Sequence, residues 1–504
     1  MYIAAFRKPL CLILLLSALA ACQDNTQPTG AEPHTLAPQP SAMGQSQGPR
    51  PDRSAEAHGP RIAQQVPDFG GWFFDENGDL NVWVRNAEVH GARARGVVAQ
   101  VAGEVGLIPT RPGYRIIIRQ GRYGWQELSD WRDQIEAVAG GIEGVRWVDL
   151  DERINRIAVG VISARARAQV RQQADELGIA TSALSIQPVD QCSPEALDCN
   201  DPCTVNPDSP DCNTNPCELN PGDPSCQEPV EDVWSGGEIN ASVSDAAPAQ
   251  DLDSEFNVLR GGIRIRNYTR YGENSCSIGA VAYSSTHGAV FVTNSHCTYD
   301  QGGVSTGTAG EFFQHYPSQP LFVGIEVQDP PYVLPSGCSS WSLSESCYLR
   351  RNSDAAVIRI TNRQSERGTI ARPANRKFEG QGRGSTLIDA SRPVLRIVRD
   401  QVTSSISVAR GNRLDKVGST TGWTSGLVQA VCRTEYQTSP NKRQHTCQNV
   451  INYTNDFGDS GAPVFYLENA TTGSVWLLGF HHSKKAVYSP LTQVARDLPG
   501  LSYR

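Results

Sequence analysis

The chain has 504 residues, 39% apolar and 19% charged, which is ordinary globular material but too long for one domain and closer to about three. Its net charge is −8 and its basic residues form no long run, which argues against nucleic acid as the main partner.

Residues 1–22 read as a targeting segment. Arg7 and Lys8 give a positive start, and Leu10 to Leu19 form an apolar stretch too short to span a bilayer as a mature helix. The stretch ends in Leu19-Ala20-Ala21-Cys22, which resembles the bacterial lipoprotein cleavage box. That resemblance implies a lipid on Cys22. Gln23 in place of Asp then implies sorting to an outer membrane, on its periplasmic or cell-surface face. An ordinary secretory signal that happens to end near a cysteine is the plainer reading, and both readings export the chain. Setting aside Cys11 and Cys22 leaves twelve of the fourteen cysteines, an even number, so disulfides are expected.

Residues 23–66 are rich in Pro, Gln, Ser, Gly and Ala and bury too little to offset their ordering entropy, so they read as a disordered tether. Residues 67–190 change character. Tyr114 to Arg119 is strand-like, and Leu128, Trp131, Ile135 and Val138 recur at helical spacing. Val145 to Leu150 reads as a strand, Asp151-Glu152-Arg153 as a turn, and Ile157, Val159 and Val161 alternate as a second strand. Val170, Ala174 and Leu177 share a helical face that Gly178 stops, and Thr181 to Ile186 closes the series. This order predicts a small α/β domain, a split β-α-β sandwich. Residues Val148 to Arg156 resemble the region that precedes bacterial chymotrypsin-like proteases. The resemblance implies a prosegment that aids folding or inhibits; an unrelated accessory domain is the alternative.

Residues 191–256 form a Cys- and Pro-rich connector with an internal repeat, Pro202 to Cys212 and Pro216 to Cys226. Local pairs Cys192–Cys199, Cys203–Cys212 and Cys217–Cys226 are the simplest assignment, although six cysteines permit other pairings. The regular ligand spacing of a calcium loop is absent, so a disulfide-stapled linker is expected. Residues 257–504 hold many short β-like runs, among them Ala289 to Thr293, Ala355 to Ile360 and Val475 to Leu478. Gly, Ser, Thr, Asn and Pro punctuate them. An all-β barrel or sandwich follows, and the length fits a double β-barrel.

Within that segment, Gly458-Asp459-Ser460-Gly461 places a hydroxyl in a glycine-flanked turn. Val292-Thr293-Asn294-Ser295-His296-Cys297 places an imidazole at a strand end, and Asp354-Ala355-Ala356-Val357 places a carboxylate ahead of an apolar run. Asp300, Asp329 and Asp389 are other aspartates, but no such run follows them. A hydroxyl that attacks, an imidazole that takes its proton, a carboxylate that orients the imidazole and fixed N–H donors are what peptide hydrolysis by serine requires. All three motifs resemble those of the chymotrypsin-like serine proteases, and the order His296, Asp354, Ser460 is that family's order. Lys416-Val417-Gly418-Ser419-Thr420-Thr421-Gly422 resembles a stretch of the bacterial streptogrisin-like branch, with Lys where that branch has Arg.

The resemblance implies a chymotrypsin-like double barrel and a serine endopeptidase working through an acyl-enzyme. It implies His296, Asp354 and Ser460 as catalytic residues and the N–H groups of Gly458 and Ser460 as oxyanion donors. It implies a supporting Lys416–Asp459 pair, which would form the oxyanion loop without zymogen cleavage near Leu259-Arg260-Gly261-Gly262. It also implies a Cys276–Cys297 bridge pinning the loop of the base, a loop closure that contributes ~3 kcal/mol in the chain-entropy model. Cys338–Cys347 and Cys432–Cys447 are the other expected bridges. Thr454, at the pocket base in relatives, is neutral, which disfavours a trypsin-like taste for Arg or Lys. Phe457, His481 and His482 complete the expected pocket. A protonated or hydrogen-bonding His481 would receive a carboxylate, with small or aromatic apolar residues the equal alternative. A catalytically silent binding module and an adhesin built on residues 67–226 are the rival readings. No motif implies a metal or other cofactor. The expected partners are protein or peptide substrates and the membrane through Cys22, for a monomeric chain.

Overall fold

The computed structural model describes residues 58–189, 250–269, 272–314, 320–335, 338, 347–392, 394–437 and 442–504. Cys22, its leader and the repeat cysteines Cys192, Cys199, Cys203, Cys212, Cys217 and Cys226 lie outside these residues. The described part is mostly β, with a few helices toward its N-terminal end and a short one, Leu491–Asp497, near its C-terminal end.

The expected tether ends earlier than position 66. Residues His58–Gln65 form a helix because Ile62, and Val66 just after it, bury completely, and the His58 ring stacks on Trp72 at 4.4 Å. The connector likewise ends early, since Leu252 and Phe256 are buried in the core of the C-terminal part.

The predicted elements of residues 114–188 all form: Ile116–Gln120, the helix Trp125–Ala139, Val145–Asp151, Arg156–Val161, the helix Ala164–Glu176 and Leu184–Pro188. They do not make one split sandwich. Ile116–Gln120 runs parallel to Leu80–Val84, which pairs with Phe69–Phe74 in a separate three-stranded sheet. Phe69, Trp72, Leu80, Val82 and Val84 are buried on that sheet, and the helix Ala87–Glu104 crosses between its parallel strands. These upstream strands capture Ile116–Gln120 and leave Val145–Asp151 free to pair elsewhere.

Val145–Asp151 pairs antiparallel with Gly422–Gln437, through Trp147 opposite Glu435 and Val148 opposite Thr434. One sheet therefore runs from the N-terminal part into the C-terminal part. A buried cation anchors this seam. Arg410, 2% exposed, donates to Glu152 Oε2 at 2.6 Å and to Asp149 Oδ2, and lies 3.5 Å from Asp151 Oδ1. Burial pushes Asp149 up against the pull of Arg410.

The C-terminal part holds two sheets. In the first, Gly288–Thr293 lies between Ala280–Ser284 and Ala356–Ile360, all antiparallel, with Thr293 opposite Ala356. Phe291, Val292, Val357 and Ile358 are fully buried there. Each such side chain contributes about 1.5–3 kcal/mol relative to exposure. In the second, Arg413–Gly418, Pro463–Asn469 and Ser474–Ser483 are neighbours. The three cysteine pairs expected here are bonded: Cys276–Cys297, Cys338–Cys347 and Cys432–Cys447. No helix among the described residues is long and apolar enough to cross a membrane.

Arg410→Ala leaves three carboxylates facing a hole. Breaking a buried pair in this way costs about 3–5 kcal/mol. Urea denaturation of the full chain will show that loss near neutral pH. The loss will shrink as pH falls and Asp149, already pushed up by burial, takes up a proton.

Candidate active site

Strand register brings the imidazole and the carboxylate together. His296 lies in the turn Ser295–Cys297 that ends Gly288–Thr293, and Asp354 lies just ahead of Ala356–Ile360, the neighbouring strand. His296 Nδ1 is 2.6 Å from Asp354 Oδ2, and the His296 N–H donates to Asp354 Oδ1 at 3.1 Å. Asn294 Nδ2 donates to the Asp354 carbonyl at 2.6 Å, and Asn274 Nδ2 to the His296 carbonyl at 3.0 Å. Burial works to raise the Asp354 carboxyl, but the adjacent His296 outweighs it and the carboxyl is held well below its usual range. The His296 side chain keeps 30% exposure, while Asp354 keeps 4%.

Ser460 comes from the second sheet, just before Pro463–Asn469. Its carbonyl accepts from the Ser277 N–H at 2.7 Å, next to Cys276, which is bonded to Cys297 beside His296. Gly461 packs so closely on Thr293 that a Cβ there would touch Thr293 Oγ1 at 2.5 Å. The turn of Ser460 is thus fastened to the strand that ends at His296. Among the described residues no hydrogen bond joins Ser460 Oγ to His296, which is common in substrate-free sites.

The backbone around Ser460 alternates. The N–H groups of Asp456, Phe457, Asp459, Gly461 and Ala462 donate to Asp459 Oδ2, Asp456 Oδ1, the Asp456 carbonyl, the His481 carbonyl and the Asp459 carbonyl. Those of Gly458 and Ser460 have no acceptor among the described residues. Gly458 has φ +93°, and a Cβ there would collide with Thr420 Oγ1. Its carbonyl is held by Ser277 Oγ at 2.8 Å and Ser419 Oγ at 2.9 Å.

Asp459 is fully buried and saturated with donors. Oδ2 accepts from Lys416 Nζ at 2.8 Å, Thr421 Oγ1 at 2.6 Å and the Asp456 N–H at 3.1 Å. Oδ1 accepts from the N–H groups of Thr420 and Thr421, both at 3.0 Å. Burial alone would raise Asp459, but the Lys416 charge and these bonds hold it below its usual range. Burial draws Lys416 down too, against Asp459. Five donors on one carboxylate fit the charged pair.

The pocket residues divide. Thr454 is half-buried, and its carbonyl accepts from Thr424 Oγ1 at 2.9 Å. Phe457 is 59% exposed, with Lys484 Nζ 3.4 Å above its ring. His481 is buried, its Nδ1 3.0 Å from Tyr453 Oη. Burial, and then the Lys416 charge, hold it well below the usual imidazole range, which favours the neutral ring over the protonated one. His482 does not join it. The strand pairing shifts register between His481 and Ser483, and His482 turns toward Gln448 Oε1 at 3.0 Å and toward Asp354 Oδ2 at 4.0 Å. Of the other aspartates, Asp329 pairs with Arg351 and Asp389 with Arg392, and neither is bonded to His296. Cys276, Cys297 and His296 lie close together, but the two sulfurs are bonded to each other and offer no thiolate to a metal. Sequence reasoning missed Lys484 and Tyr453. The first sits in a Lys-Lys pair that reads as solvated surface, and the second adjoins Thr454 but only folding brings it to His481.

No family model matches the chain, and no curated protein matches it. Similar solved structures are serine proteases. One is a glutamic-acid-specific serine protease that uses a histidine triad in substrate binding, at 19% identity and TM-score 0.32 over 49% of this chain and 100% of that one. Thermobifida fusca protease A follows at 17% and 0.31, over 49% of this chain and 97% of that one. Nocardiopsis protease stands at 18% and 0.31, over 49% and 98%. At these values the likeness bears on neither the chemistry nor the substrate of this chain.

Lys416→Met leaves the Asp459 carboxylate buried without its cation, which costs about 3–5 kcal/mol. Because Asp459 is held below its ordinary value, the wild-type pair stabilises fully above the ordinary carboxylate range. That contribution is lost as pH falls through the folded value. Thermal melts against pH will therefore converge for the two proteins at low pH and diverge above it.

Proposed function

We propose that the chain is a serine endopeptidase of chymotrypsin-like double-barrel fold, with Ser460 as nucleophile, His296 as general base and Asp354 as the group that orients it. The observation that carries this is the pair of N–H groups, Gly458 and Ser460, left without acceptors beside a hydroxyl fastened to the His296 strand. In this reading Ser460 Oγ bonds to the substrate carbonyl carbon while His296 takes the hydroxyl proton. The carbonyl electron pair moves to oxygen, where the two N–H groups receive it. Collapse breaks the C–N bond, and His296 returns the proton to the leaving amine. Water then repeats the sequence on the ester. Each oxyanion donor is worth on the order of 10²–10³ in rate. Asp354 fixes the proton of His296 on Nδ1, leaving Nε2 to accept. The presence of all three residue types, with His296 bonded to Asp354, argues against a silent binding module or an adhesin.

For the substrate, the neutral Thr454 argues against Arg or Lys. Burial keeps the proton on Tyr453, and its donation to His481 Nδ1 puts the His481 proton on Nε2. A neutral donor there, with Lys484 at the rim, supports a carboxylate side chain at the cleaved bond. Residues 67–190 are read as a prosegment, supported by the strand they lend to Gly422–Gln437. Three disulfides suit an oxidising, exported setting. Attachment through a lipid on Cys22 belongs to the same reading.

Wild type will be labelled by a fluorophosphonate and Ser460→Ala will not; His296→Ala will react roughly 10²–10⁴-fold more slowly. An unlabelled wild type, or equal labelling of Ser460→Ala, overturns the reading. In a peptide library His481→Ala will lose preference for acidic residues; an unchanged preference removes the carboxylate assignment alone.

A further inference from the structure

Asp329 and Arg351 take no part in the chemistry above, yet both are buried, with side chains at most 1% exposed. We propose that this ion pair is a positioning brace that sets the alignment of His296 against Asp354, a proposal that rests on the peptidase reading.

The contacts fall on both sides of both residues. Asp329 Oδ2 accepts from Ser295 Oγ at 2.8 Å, Gly302 N–H at 2.9 Å and Thr298 Oγ1 at 3.3 Å. Ser295 directly precedes His296, and Thr298 follows two residues after it. Asp329 Oδ1 accepts from Arg351 Nη1 at 2.6 Å. Arg351 Nη2 donates to the carbonyl of Ala355, the residue after Asp354. Arg351 Nε lies 3.5 Å from Asp497 Oδ2, which accepts from both the N–H and the hydroxyl of Ser353 at 2.7 Å. Ser353 is the residue before Asp354. One ion pair thus ties the loop of the base to the loop of the carboxylate.

The placement is hard to account for by stability. A buried ion pair is often matched or bettered by an apolar pair of equal volume. An apolar pair supplies no directional bonds to Ser295, Thr298 and Ala355. The planar guanidinium matters as well, since it reaches Asp329 and the Ala355 carbonyl at once and a lysine ammonium at the end of a single stem does not. Misplacement of a catalytic group by about 1 Å costs on the order of 10²-fold in rate. The brace acts at that scale, on the chemical step and not on substrate binding.

The test uses the full chain and compares wild type, Asp329→Asn, Arg351→Lys and Ser295→Ala. Ser295→Ala removes one hydroxyl and leaves both charges paired, so it stands in if a charge variant fails to fold. Asp400→Asn is the control. Asp400 is a buried carboxylate that caps its own turn through the N–H groups of Val402 and Thr403 and touches neither loop. Each protein is melted, reacted with a small fluorophosphonate, and assayed for kcat and KM on a peptide. The brace predicts roughly 10- to 100-fold slower labelling and lower kcat in the three brace variants, with KM near wild type. It predicts that Asp400→Asn melts earlier and labels at the wild-type rate. Folded brace variants that label like wild type, or an Asp400→Asn that slows equally at equal loss of melting temperature, overturn it. A wild type that does not label overturns the peptidase reading instead, and the brace with it.

Discussion

The carboxylate of Asp459 is the constraint around which the described site is organised. It has no contact with solvent, yet it carries charge, and five donors converge on its two oxygens. Two of those donors are backbone groups of Thr420 and Thr421, and one is the backbone of Asp456. A single buried charge therefore dictates where two separate loops run. The alternation of used and unused N–H groups around Ser460 follows from that path. Had the carboxylate been exposed, water would have satisfied it and the loops would have been free to drift.

Much of this was legible in the sequence because the informative residues are local. The strands around Phe291, Val357 and Leu477 are short apolar runs bounded by turn residues, and they form where they read. His296, Asp354 and Ser460 each carry their signal within a few neighbours. The parts that were not legible depend on long-range pairing. Phe69–Phe74 is broken by Gly70 and Gly71, which hide its alternation, and so the first sheet and its capture of Ile116–Gln120 went unseen. The strand Arg443–Ile451 buries Gln444, Gln448 and Asn449, polar residues whose burial depends on partners far along the chain. His481 and His482 look equivalent as a dipeptide, and only the folded strand, with its register shift at this point, sends one to Tyr453 and the other toward Asp354. Arg351 and Asp329 form no motif at all.

The seam between the two parts combines two kinds of interaction with different tolerances. The strand pairing of Val145–Asp151 with Gly422–Gln437 is made by backbone and accepts many side chains. The Arg410 cluster is made by side chains and is far less tolerant, since one guanidinium serves Asp149, Asp151 and Glu152 at once. Tyr436 Oη adds a bond to the Glu136 carbonyl at 3.2 Å, and Asn412 Nδ2 one to the Ile108 carbonyl at 2.7 Å. Substitutions along the strand will be absorbed where the same change at position 410 is not.

That borrowed strand has a corollary for any separated C-terminal part. Without Val145–Asp151, Gly422–Gln437 presents free backbone donors and acceptors along the Thr434–Glu435 stretch, and Arg410 faces outward with no counter-charge. Such a rim is a template for another chain. Its safest occupant is the strand it already has, so the two parts, once assembled, guard each other from self-association.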